Sequence, residues 1–437
     1  MSGYSKKDII KMVEEEDIAF IRLQFCDAFG TAKNIAITPG QLEAALSGKI
    51  SFITSGVEGF SHNADDELYL RPDTSTFEIY PWRPQTGRVA RMFCMVEDAD
   101  KKSCATDPRH ILKSVCDKAA KMGIRFEITP ELEFFLLTCD DNGLPVAATA
   151  ESAGYLDVAP SDWGENVRRD IILNLEKMNF NVISSHHESA PAQHEIDFEG
   201  SDPCTTSDMI QTFKMAVKTI ARKHGCYATF MPKPREGYDG SGLHLHIRAF
   251  DEKGNNIFAG QNDDLSPAAL SFITGLCHHM NAISLVSNPL VNSYKRLISG
   301  YEAPTGLSWT QTGSNHTSMI RIPKRKGIET SIELRNPDAT CNPYLAIALC
   351  LAAGLEGIEK SYSPCPSAEV ARSMNLPIED LPQTLGQSIE AFKADPFARD
   401  IMGKELADIF ITAKENEWKK FRSCVTQWEM KEYLGKY

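Results

Sequence analysis

The stretch Thr129-Pro-Glu-Leu-Glu-Phe-Phe135 carries the pattern on which the fold of this chain depends. Side chains two positions apart on a β-strand point to the same face of a sheet. Glu131 and Glu133 therefore share one face of the predicted strand, and Leu132 and Phe134 share the other. Such a strand packs its apolar face against a core and presents two carboxylates together on the opposite face.

Two further stretches have the same spacing. In Gly240-Ser-Gly-Leu-His-Leu-His246 two histidines alternate with leucines, and in Ser331-Ile-Glu-Leu-Arg335 a glutamate and an arginine stand two apart. A solvated sheet face explains any one such pair, because exposed strand positions commonly carry charged side chains. Three strands that place carboxylates beside imidazole and guanidinium groups instead indicate that the three faces line one cavity.

A divalent-metal site is the chemistry that these residues favour. The polar segment His186-His-Glu-Ser-Ala-Pro-Ala-Gln-His-Glu195 adds further carboxylates. Carboxylates gathered around one cavity repel one another and take up protons unless a cation holds them. Carboxylate ligands with one imidazole suit Mg²⁺ or Mn²⁺, whereas Zn²⁺ prefers more histidine or cysteine. The sequence therefore predicts a Mg²⁺ or Mn²⁺ site lined by strand residues.

Phosphate binding has no glycine-rich signature in this chain. It contains neither a Gly-x-x-x-x-Gly-Lys-Ser/Thr loop nor a Gly-x-Gly-x-x-Gly turn. If a nucleotide binds, metals and arginines such as Arg321 and Arg335 must hold its phosphates.

The composition is that of a globular protein that acts away from nucleic acids and membranes. The 437 residues are enough for two domains or more. A net charge of −13 repels phosphate backbones and argues against nucleic-acid binding. The longest apolar run, residues 344–355, is too short to span a bilayer, and the N-terminus lacks the apolar core of a signal peptide. Twelve scattered cysteines without a Cys-x-x-Cys pair are typical of reduced thiols in the cytoplasm, where we expect the protein.

Strand signals dominate the first hundred residues, and helices and strands alternate irregularly after them. This mixture predicts an α+β protein with an antiparallel sheet. We expect one domain over residues 1–104 and a second over residues 105–437. The predicted strands cover 18–26, 31–37, 76–80, 90–96, 125–137, 227–232, 242–250 and 330–335, and the predicted helices cover 107–123, 162–178, 206–224, 267–283 and 342–360.

Several longer motifs occur together in a fixed order. They are Phe230-Met-Pro-Lys-Pro234, Asn288-Pro-Leu-Val-Asn-Ser-Tyr-Lys-Arg-Leu297, Gly300-Tyr-Glu-Ala-Pro304 and Asn342-Pro-Tyr-Leu-Ala346. With the stretches quoted above they resemble the class I glutamine synthetase family, and the resemblance runs from Arg22 to Trp428. It implies a small N-terminal β-grasp domain and a large catalytic domain built on a curved antiparallel sheet flanked by helices.

The resemblance also implies an assembly. Members of the family form homo-oligomers, and the implied form is a dodecamer of two stacked hexameric rings. The N-terminal domain of one subunit completes the active site of its neighbour. A C-terminal helix, here around residues 410–421 and beyond, grips the other ring.

The metal and ATP sites follow from the same resemblance. It implies two Mg²⁺ or Mn²⁺ ions per active site, with ATP as a substrate. His246 and Arg321 resemble contacts to the phosphates of ATP. The ligands of one ion are matched by Glu133, Glu188 and Glu195, and those of the other by Glu131, His244 and Glu333.

The glutamate site has its own matching positions. Arg296 matches the arginine that binds the α-carboxylate of L-glutamate, and Arg335 matches the one that faces the γ-carboxylate. The backbone of Gly240 resembles the group that helps to hold the α-amino group. Glu302 matches the flap glutamate that closes over the intermediate. The implied reaction makes γ-glutamyl phosphate from glutamate and ATP, and an amine then displaces the phosphate.

The sequence departs from the family pattern at the acceptor site. Where the family has Phe-Asp-Gly-Ser-Ser, this chain has Phe52-Ile-Thr-Ser-Gly56. The missing aspartate helps to bind and deprotonate ammonium, and Ile53 cannot hold a cation. We therefore expect an acceptor pocket that is less anionic and more apolar, with Ile53 on a loop that reaches into a neighbouring subunit's site.

Other departures alter the charges near the substrates. Asp239 replaces an asparagine near the glutamate amino group, His316 and Ser331 replace two arginines that face phosphate, and Arg248 stands where a serine lies by the nucleotide and offers a replacement cation. His62 replaces the regulatory arginine of the short class I enzymes.

Three interpretations are compatible with these features. The first is a γ-glutamyl ligase whose acceptor is an amine other than ammonium. The second is ordinary glutamine synthesis with a degraded ammonium site. The third is a weakly active or inactive paralogue that binds metabolites or assembles with a true synthetase. The complete metal ligand set argues against the third interpretation, and the two lost arginines argue for it.

Overall fold

Two β-sheets organise the chain, one formed by strands that precede residue 98 and the other by strands that follow residue 124. The computed structural model describes residues 4–60, 67–147, 149–313 and 315–437. His62, at the position of the family's regulatory arginine, lies outside the described residues. All statements below concern the described ranges.

The first sheet is mixed. Its strand order is β2-β1-β6-β4-β3, with β5 beside β6; β1 and β6 run parallel and the other pairs antiparallel. Helix α1 buries Ile9 and Val13 in the core of this sheet. This arrangement agrees with the predicted β-grasp fold. The elements are α1 (Lys6–Glu15), β1 (Ile18–Cys26), β2 (Ala32–Ile37), α2 (Leu42–Leu46), β3 (Ile50–Ile53), β4 (Glu67–Pro72), β5 (Glu78–Ile79) and β6 (Arg88–Glu97).

The second sheet is longer and almost entirely antiparallel. Its elements are α3 (Pro108–Lys121), β7 (Arg125–Cys139), β8 (Pro145–Val146), α4 (Glu165–Glu176), β9 (Val182–His187), β10 (Gln193–Phe198), α5 (Pro203–Lys223), β11 (Tyr227–Thr229), β12 (Leu243–Phe250), α6 (Pro267–Ser287), α7 (Ser293–Arg296), β13 (Gly306–Thr310), β14 (Ser318–Arg321) and β15 (Ile332–Leu334). Their strand order is β13-β14-β15-β12-β7-β10-β9, with β8 and β11 beside β7 and only β13 and β14 parallel. Six helices follow: α8 (Pro343–Glu359), α9 (Ala368–Ser373), α10 (Leu385–Ala394), α11 (Pro396–Met402), α12 (Lys404–Arg422) and α13 (Gln427–Tyr433).

The apolar face of the second sheet forms the larger core. Leu132 and Phe134 are fully buried there, as the period-two pattern predicts. Helices α6 and α8 cover this core, and their backbones are in contact. A Cβ atom at Gly275 or Gly357 would therefore lie only 2.1 Å from a carbonyl oxygen of the other helix. The α+β architecture with helices flanking an antiparallel sheet confirms the predicted fold class.

Helix α6 is the one helix in the described ranges that is long and apolar enough to cross a membrane. Two thirds of its most apolar window, 67%, is buried inside the protein. Its apolar composition therefore fits its position between α8 and the sheet, since a core helix is apolar on most of its circumference.

The observed elements differ from the sequence prediction at several places. Residues 76–80 are not one strand, because the Asp73 side chain accepts a hydrogen bond from the Ser75 amide and folds residues 74–76 into a 3₁₀ turn. Ile53 ends strand β3 rather than lying on a loop, because it pairs with Glu67 of β4. The predicted helix at 206–224 begins earlier, since Asp202 caps α5. Helices α1, α2, α7, α9, α10 and α11 were not predicted.

Candidate active site

The ionisable faces of four strands meet on the side of the second sheet opposite its core. Strand register decides which side chains face each other. The antiparallel pairs place Glu133 opposite Glu195, Glu131 opposite His244, and Glu333 opposite His246. The period-two pattern gave the shared face correctly, and the register brings the three predicted pairs into one cluster.

His244 lies between the carboxylates of this cluster. Its Nδ1 atom is 3.3 Å from Glu131 Oε2 and 3.8 Å from Glu333 Oε1. Its Nε2 atom is 3.8 Å from Glu133 Oε1. His244 therefore bridges the two sets of residues that the resemblance assigns to separate ions.

Three groups of described side chains are compact enough to share one ion each; Asp162, His187 and His194 form one of them, and the other two belong to this cluster. In both, one potential ligand atom from every member lies within 4.8 Å of the others. These two groups are Glu131, His246 and Glu333, and His186, Glu188 and Glu195. They differ from the expected sets by one member each. His246 takes the place of His244 in the first group, and His186 takes the place of Glu133 in the second.

Two carboxylates of the cluster, Glu195 and Glu133, lack a fully compensating positive charge, whereas His246 and His244, against the effect of burial, lower the pKa of Glu131. Burial, and then repulsion from Glu133 and Asp197, raises the pKa of Glu195 well above its usual value. Burial likewise raises the pKa of Glu133. The charge of His244 lowers that pKa, and repulsion from Glu188 offsets part of this effect. A carboxylate cluster with raised pKa values gains most from a bound cation.

Orphaned ligand atoms support the same conclusion. The buried atoms His244 Nε2, His246 Nδ1 and Glu333 Oε1 have no hydrogen-bond partner among the described residues. Buried polar atoms normally have partners, so these three atoms are available to a ligand. Carboxylate oxygens with few imidazole nitrogens form a donor set that fits Mg²⁺ or Mn²⁺.

Three arginines surround the carboxylates. Arg321 Nε donates to Glu333, and Arg335 Nε lies 3.4 Å from the same carboxylate. Arg296 is buried and donates to three backbone carbonyls, those of Arg335, Asn336 and Pro337, at 2.9–3.2 Å. Its Nε atom has no partner, and burial lowers the pKa of Arg296. A guanidinium held mainly by neutral carbonyls is a receptor for an anionic substrate group.

Asp239 fastens the segment that carries Glu302. Its carboxylate accepts a hydrogen bond from the Glu302 backbone N–H at 2.8 Å. Lys233 donates to the Tyr238 carbonyl, and its ammonium group lies 3.4 Å from the centre of the Tyr301 ring. Asp239 is thus placed to hold the flap, a contact that the sequence alone did not suggest.

Gly240 joins this loop to the carboxylate cluster. Its carbonyl accepts a hydrogen bond from Gln193 Nε2 at 3.2 Å, and the same amide donates to Glu133 at 2.9 Å. A Cβ atom at position 240 would lie 2.1 Å from the Pro232 carbonyl oxygen. The close backbone approach therefore requires glycine.

A buried network on the opposite side of the β9–β10 hairpin holds Glu188 and Glu195 in place. The Arg168 guanidinium contacts His194 Nδ1 at 2.8 Å, Asp162 at 2.7 Å and Ser185 at 3.2 Å. No sequence pattern predicted this network, because Arg168 and Asp162 stand in or beside a predicted helix and have no period-two pattern. Asp197, which shares the face of Glu195 two residues further along β10, was not predicted either.

Four of the residues named from the sequence lie elsewhere or make other contacts. Ile53 belongs to the first sheet, and its side chain is 59% exposed. Arg248 pairs with Glu127 and Glu329 at 3.1 Å each, so its charge is already matched. Ser331 is buried, and the His316 carbonyl accepts a hydrogen bond from Arg335.

Comparisons with known proteins place this geometry in a family context. Residues 105–433 match the model described as glutamine synthetase, catalytic domain, and residues 17–99 match the glutamine synthetase beta-Grasp domain. The chain is 44% identical to the glutamine synthetase of Clostridium saccharobutylicum over 447 residues and 44% identical to that of Thermus thermophilus over 448 residues. Each alignment covers 100% of both chains.

Solved structures resemble the chain over almost its whole length. A structure titled "GmaS/ADP complex-Conformation 1" has a TM-score of 0.88 and 29% sequence identity and covers 98% of this chain and 99% of its own. A Plasmodium falciparum glutamine synthetase structure has a TM-score of 0.88 and covers 99% of both chains. At 21% identity, the second likeness shows the fold alone.

Proposed function

Because this chain belongs to the glutamine synthetase family, we propose that it joins an amine other than ammonium to the γ-carboxylate of L-glutamate. As a member of that family it is a ligase that uses glutamate, an amine, ATP and divalent metal. The observation that carries the choice of acceptor is Ile53, an exposed apolar side chain at the position of the family's ammonium-binding aspartate.

The buried arginines support glutamate as the substrate that is activated. Arg296 can bind the α-carboxylate, and Arg335 stands beside Glu333 where it can face the γ-carboxylate. Arg321 lies at the rim of the same cluster and can contact the phosphate oxygens of ATP, as can His246. These positions bring two anions together and offset their repulsion while the γ-carboxylate attacks the terminal phosphorus of ATP.

We infer two divalent ions, Mg²⁺ or Mn²⁺, in each active site. The candidate ligands are Glu131, Glu133, Glu188, Glu195, His244 and Glu333, with His186 and His246 beside them. Bound ions would supply positive charge that offsets the negative charge of the ATP phosphates.

Glu302 and Asp239 have a joint task in the second step. Glu302 is exposed, and Asp239 holds its backbone beside the cluster. A flap held in this position can cover the site and exclude water. Exclusion of water protects γ-glutamyl phosphate from hydrolysis. The Glu302 carboxylate can then accept a proton from the incoming amine.

Ile53 favours an acceptor with an apolar body. Ammonium is a small, strongly hydrated cation, and a site that takes it from water needs an anion to offset the desolvation. Ile53 supplies no anion, but it can pack against a carbon skeleton at about 25 cal/mol per Å² buried. The ring of Tyr155, also exposed, packs edge-on against His186 at 5.5 Å and adds apolar surface near the metal cluster.

The assembly that we propose is a dodecamer of two hexameric rings in the cytoplasm. In that assembly Ile53 of one subunit lies at the active site of its neighbour, which accounts for its exposure in the single chain. The twelve cysteines, all within the described ranges, are free thiols. Free thiols are typical of the reducing cytoplasm.

The test is an acceptor panel with purified protein, ATP, glutamate and Mg²⁺ or Mn²⁺. We expect phosphate release to be faster with an alkyl or aromatic amine than with ammonium. The variant Ile53→Asp/Thr54→Gly should improve the use of ammonium, and the matched variant Ile53→Asn/Thr54→Gly should not, because it lacks the charge. Formation of glutamine at low ammonium, with no amine doing better, would show an ordinary glutamine synthetase. No turnover with any acceptor would favour the inactive paralogue, for which the loss of arginines at 316 and 331 argues.

A further inference from the structure

Two cysteines on the far side of the catalytic core lie in contact. Cys277 is in the middle of α6, and Cys365 is in the segment between α8 and α9. Their Sγ atoms are 3.9 Å apart, although the residues are 88 positions apart in the sequence. Both side chains are partly exposed.

The backbone holds the pair in this position. The Cys365 N–H donates to Thr274 Oγ1 at 3.0 Å, and Thr274 lies one turn before Cys277 on the same face of α6. The Cys365 carbonyl accepts a hydrogen bond from Trp309 Nε1 at 3.0 Å. Ser271, one further turn back, donates to the Tyr362 carbonyl at 3.2 Å. Two hydrogen bonds thus hold the segment of Cys365 against the helix of Cys277, and the third joins it to strand β13.

We propose that Cys277 and Cys365 form a redox-sensitive modification site, which hydroperoxides oxidise reversibly to an intramolecular disulfide. A disulfide needs a sulfur–sulfur distance of about 2.05 Å, so the two atoms must approach by roughly 2 Å as the bond forms. The proposal is independent of the acceptor of the ligase, because neither thiol belongs to the candidate active site.

The environment makes Cys365 the attacking thiol. Its contact with Cys277 lowers its pKa to about 7, against the effect of burial and with help from Thr274. The contact with Cys277 thus favours the thiolate form of Cys365, and the thiolate is the form that reacts with peroxide.

The reaction balances with hydrogen peroxide as the oxidant. The Cys365 thiolate attacks one peroxide oxygen, the O–O bond breaks, and the products are a sulfenic acid and hydroxide, which takes a proton to become water. The Cys277 thiol then attacks the sulfenic sulfur, the S–O bond breaks, and a second water leaves as the disulfide forms. Two thiols are oxidised and one peroxide is reduced to two waters. A dithiol reductant reverses the change.

The chain contains a second thiol pair that serves as an internal comparison. Cys116 and Cys204 also interact, and the contact with Cys116 and burial raise the pKa of Cys204, as the contact with Cys365 and burial raise that of Cys277. The proposed pair also contains Cys365, whose pKa is lowered. Cys424, in contrast, is exposed, and its Sγ atom is hydrogen-bonded only to a backbone carbonyl. If thiolate character decides reactivity, Cys277 and Cys365 should be linked before Cys116 and Cys204 are.

The experiment uses the reduced full-length protein in its native assembly. It is treated with hydrogen peroxide, alkylated and digested without reductant, and its linked peptides are identified by mass spectrometry. We expect loss of two thiols per chain and one linked peptide that joins Cys277 to Cys365, both reversed by dithiothreitol. Cys365→Ser should lose this link, and Cys424→Ser should keep it. Both variants should retain basal ATP turnover, since neither residue lies in the candidate active site.

Three results would overturn the proposal. One is recovery of both cysteines as alkylated thiols after peroxide treatment. Another is conversion of Cys365 to sulfinic acid without a linked peptide, which would mean that Cys277 does not reach it. The third is a link between Cys116 and Cys204 at peroxide levels that leave the proposed pair reduced.

Discussion

At the scale of single residues, the buried guanidinium of Arg296 has hydrogen bonds to neutral groups but none to a carboxylate among the described residues. Its hydrogen bonds go to backbone carbonyls, and its Nε atom has no partner among the described residues. Burying a cation without a close carboxylate costs stability, so such a group is typical of a substrate-binding site. Arg335, which shares Glu333 with Arg321, stands next to it.

The first prediction tests these two arginines. Arg296→Ala and Arg335→Ala should each lower glutamate-dependent ATP turnover by about 100-fold or more, because each removes one partner of a desolvated ion contact. The measurement is phosphate release at saturating ATP and metal. Arg125→Ala, which removes an exposed arginine paired with Glu127, is the control and should turn over normally. Normal rates in both site variants would mean that glutamate is the wrong substrate.

At the scale of elements, the β9–β10 hairpin has two functional faces. One face places His186 and Glu195 in the carboxylate cluster. The other face carries His194, which burial and the Arg168 charge keep neutral by lowering its pKa well below its usual value. A neutral imidazole can accept the Arg168 hydrogen bond, so the guanidinium joins α4 to both strands of the hairpin.

The prediction at this scale concerns Arg168. Arg168→Ala should raise the Mg²⁺ or Mn²⁺ concentration needed for half-maximal activity by about 10- to 100-fold, as changes behind metal ligands commonly do. The rate at saturating metal should change much less. Arg168→Lys, which keeps the charge but fewer hydrogen bonds, should lie between the two.

The control for this prediction is the adjacent Arg169→Ala, because Arg169 is exposed and pairs only with its neighbour Asp170. Thermal unfolding should be measured for all variants. A lower melting temperature with an unchanged metal requirement would assign Arg168 to stability alone and contradict the prediction.

At the scale of the whole molecule, the C-terminal helix α13 is unusual in burying no residue in the single chain. Trp428 is 59% exposed and Leu434 is 70% exposed. Large apolar side chains exposed together mark an interaction surface. This observation favours α13 as the element that joins the two rings of the assembly that the family resemblance implies. The residues expected to join them, 410–421, belong to α12, which buries Phe410 and Ile411 in its own chain.

The corresponding prediction is a change in assembly. A chain that ends at Ser423, before α13, should form single rings of half the native mass, because the apolar surface between the rings is lost. Analytical ultracentrifugation measures the mass. A chain that ends at Gly435 keeps α13 and should assemble as the native protein does. Unchanged mass after removal of α13 would assign the ring contact to another surface.

The domain boundary near residue 104 also belongs to this scale, and it stays a prediction. The last strand of the first sheet ends at Glu97, and α3 begins at Pro108. Asp107 caps α3 through the Arg109 amide, as the Asp-Pro signal predicts. The roles of the site residues likewise stay predictions until they are tested by substitution.

The sequence by itself determined the fold class and which side chains share the ionisable face of each strand. A period of two places Glu131 and Glu133 together whatever their neighbours are, and the long helices have clear caps and apolar faces. Short elements such as β5 were missed or misplaced, because two or three residues carry too little pattern and local hydrogen bonds, such as that of Asp73, override it.

Only the tertiary structure decided which groups meet. Strand period states which face a side chain occupies, but register between strands is set by cross-strand hydrogen bonds and by packing of distant residues. Register therefore placed His246 with Glu131 and Glu333, and packing placed Asp239 against Glu302 and Arg168 behind Glu195. These contacts join residues that are far apart in the chain, so no local pattern could reveal them.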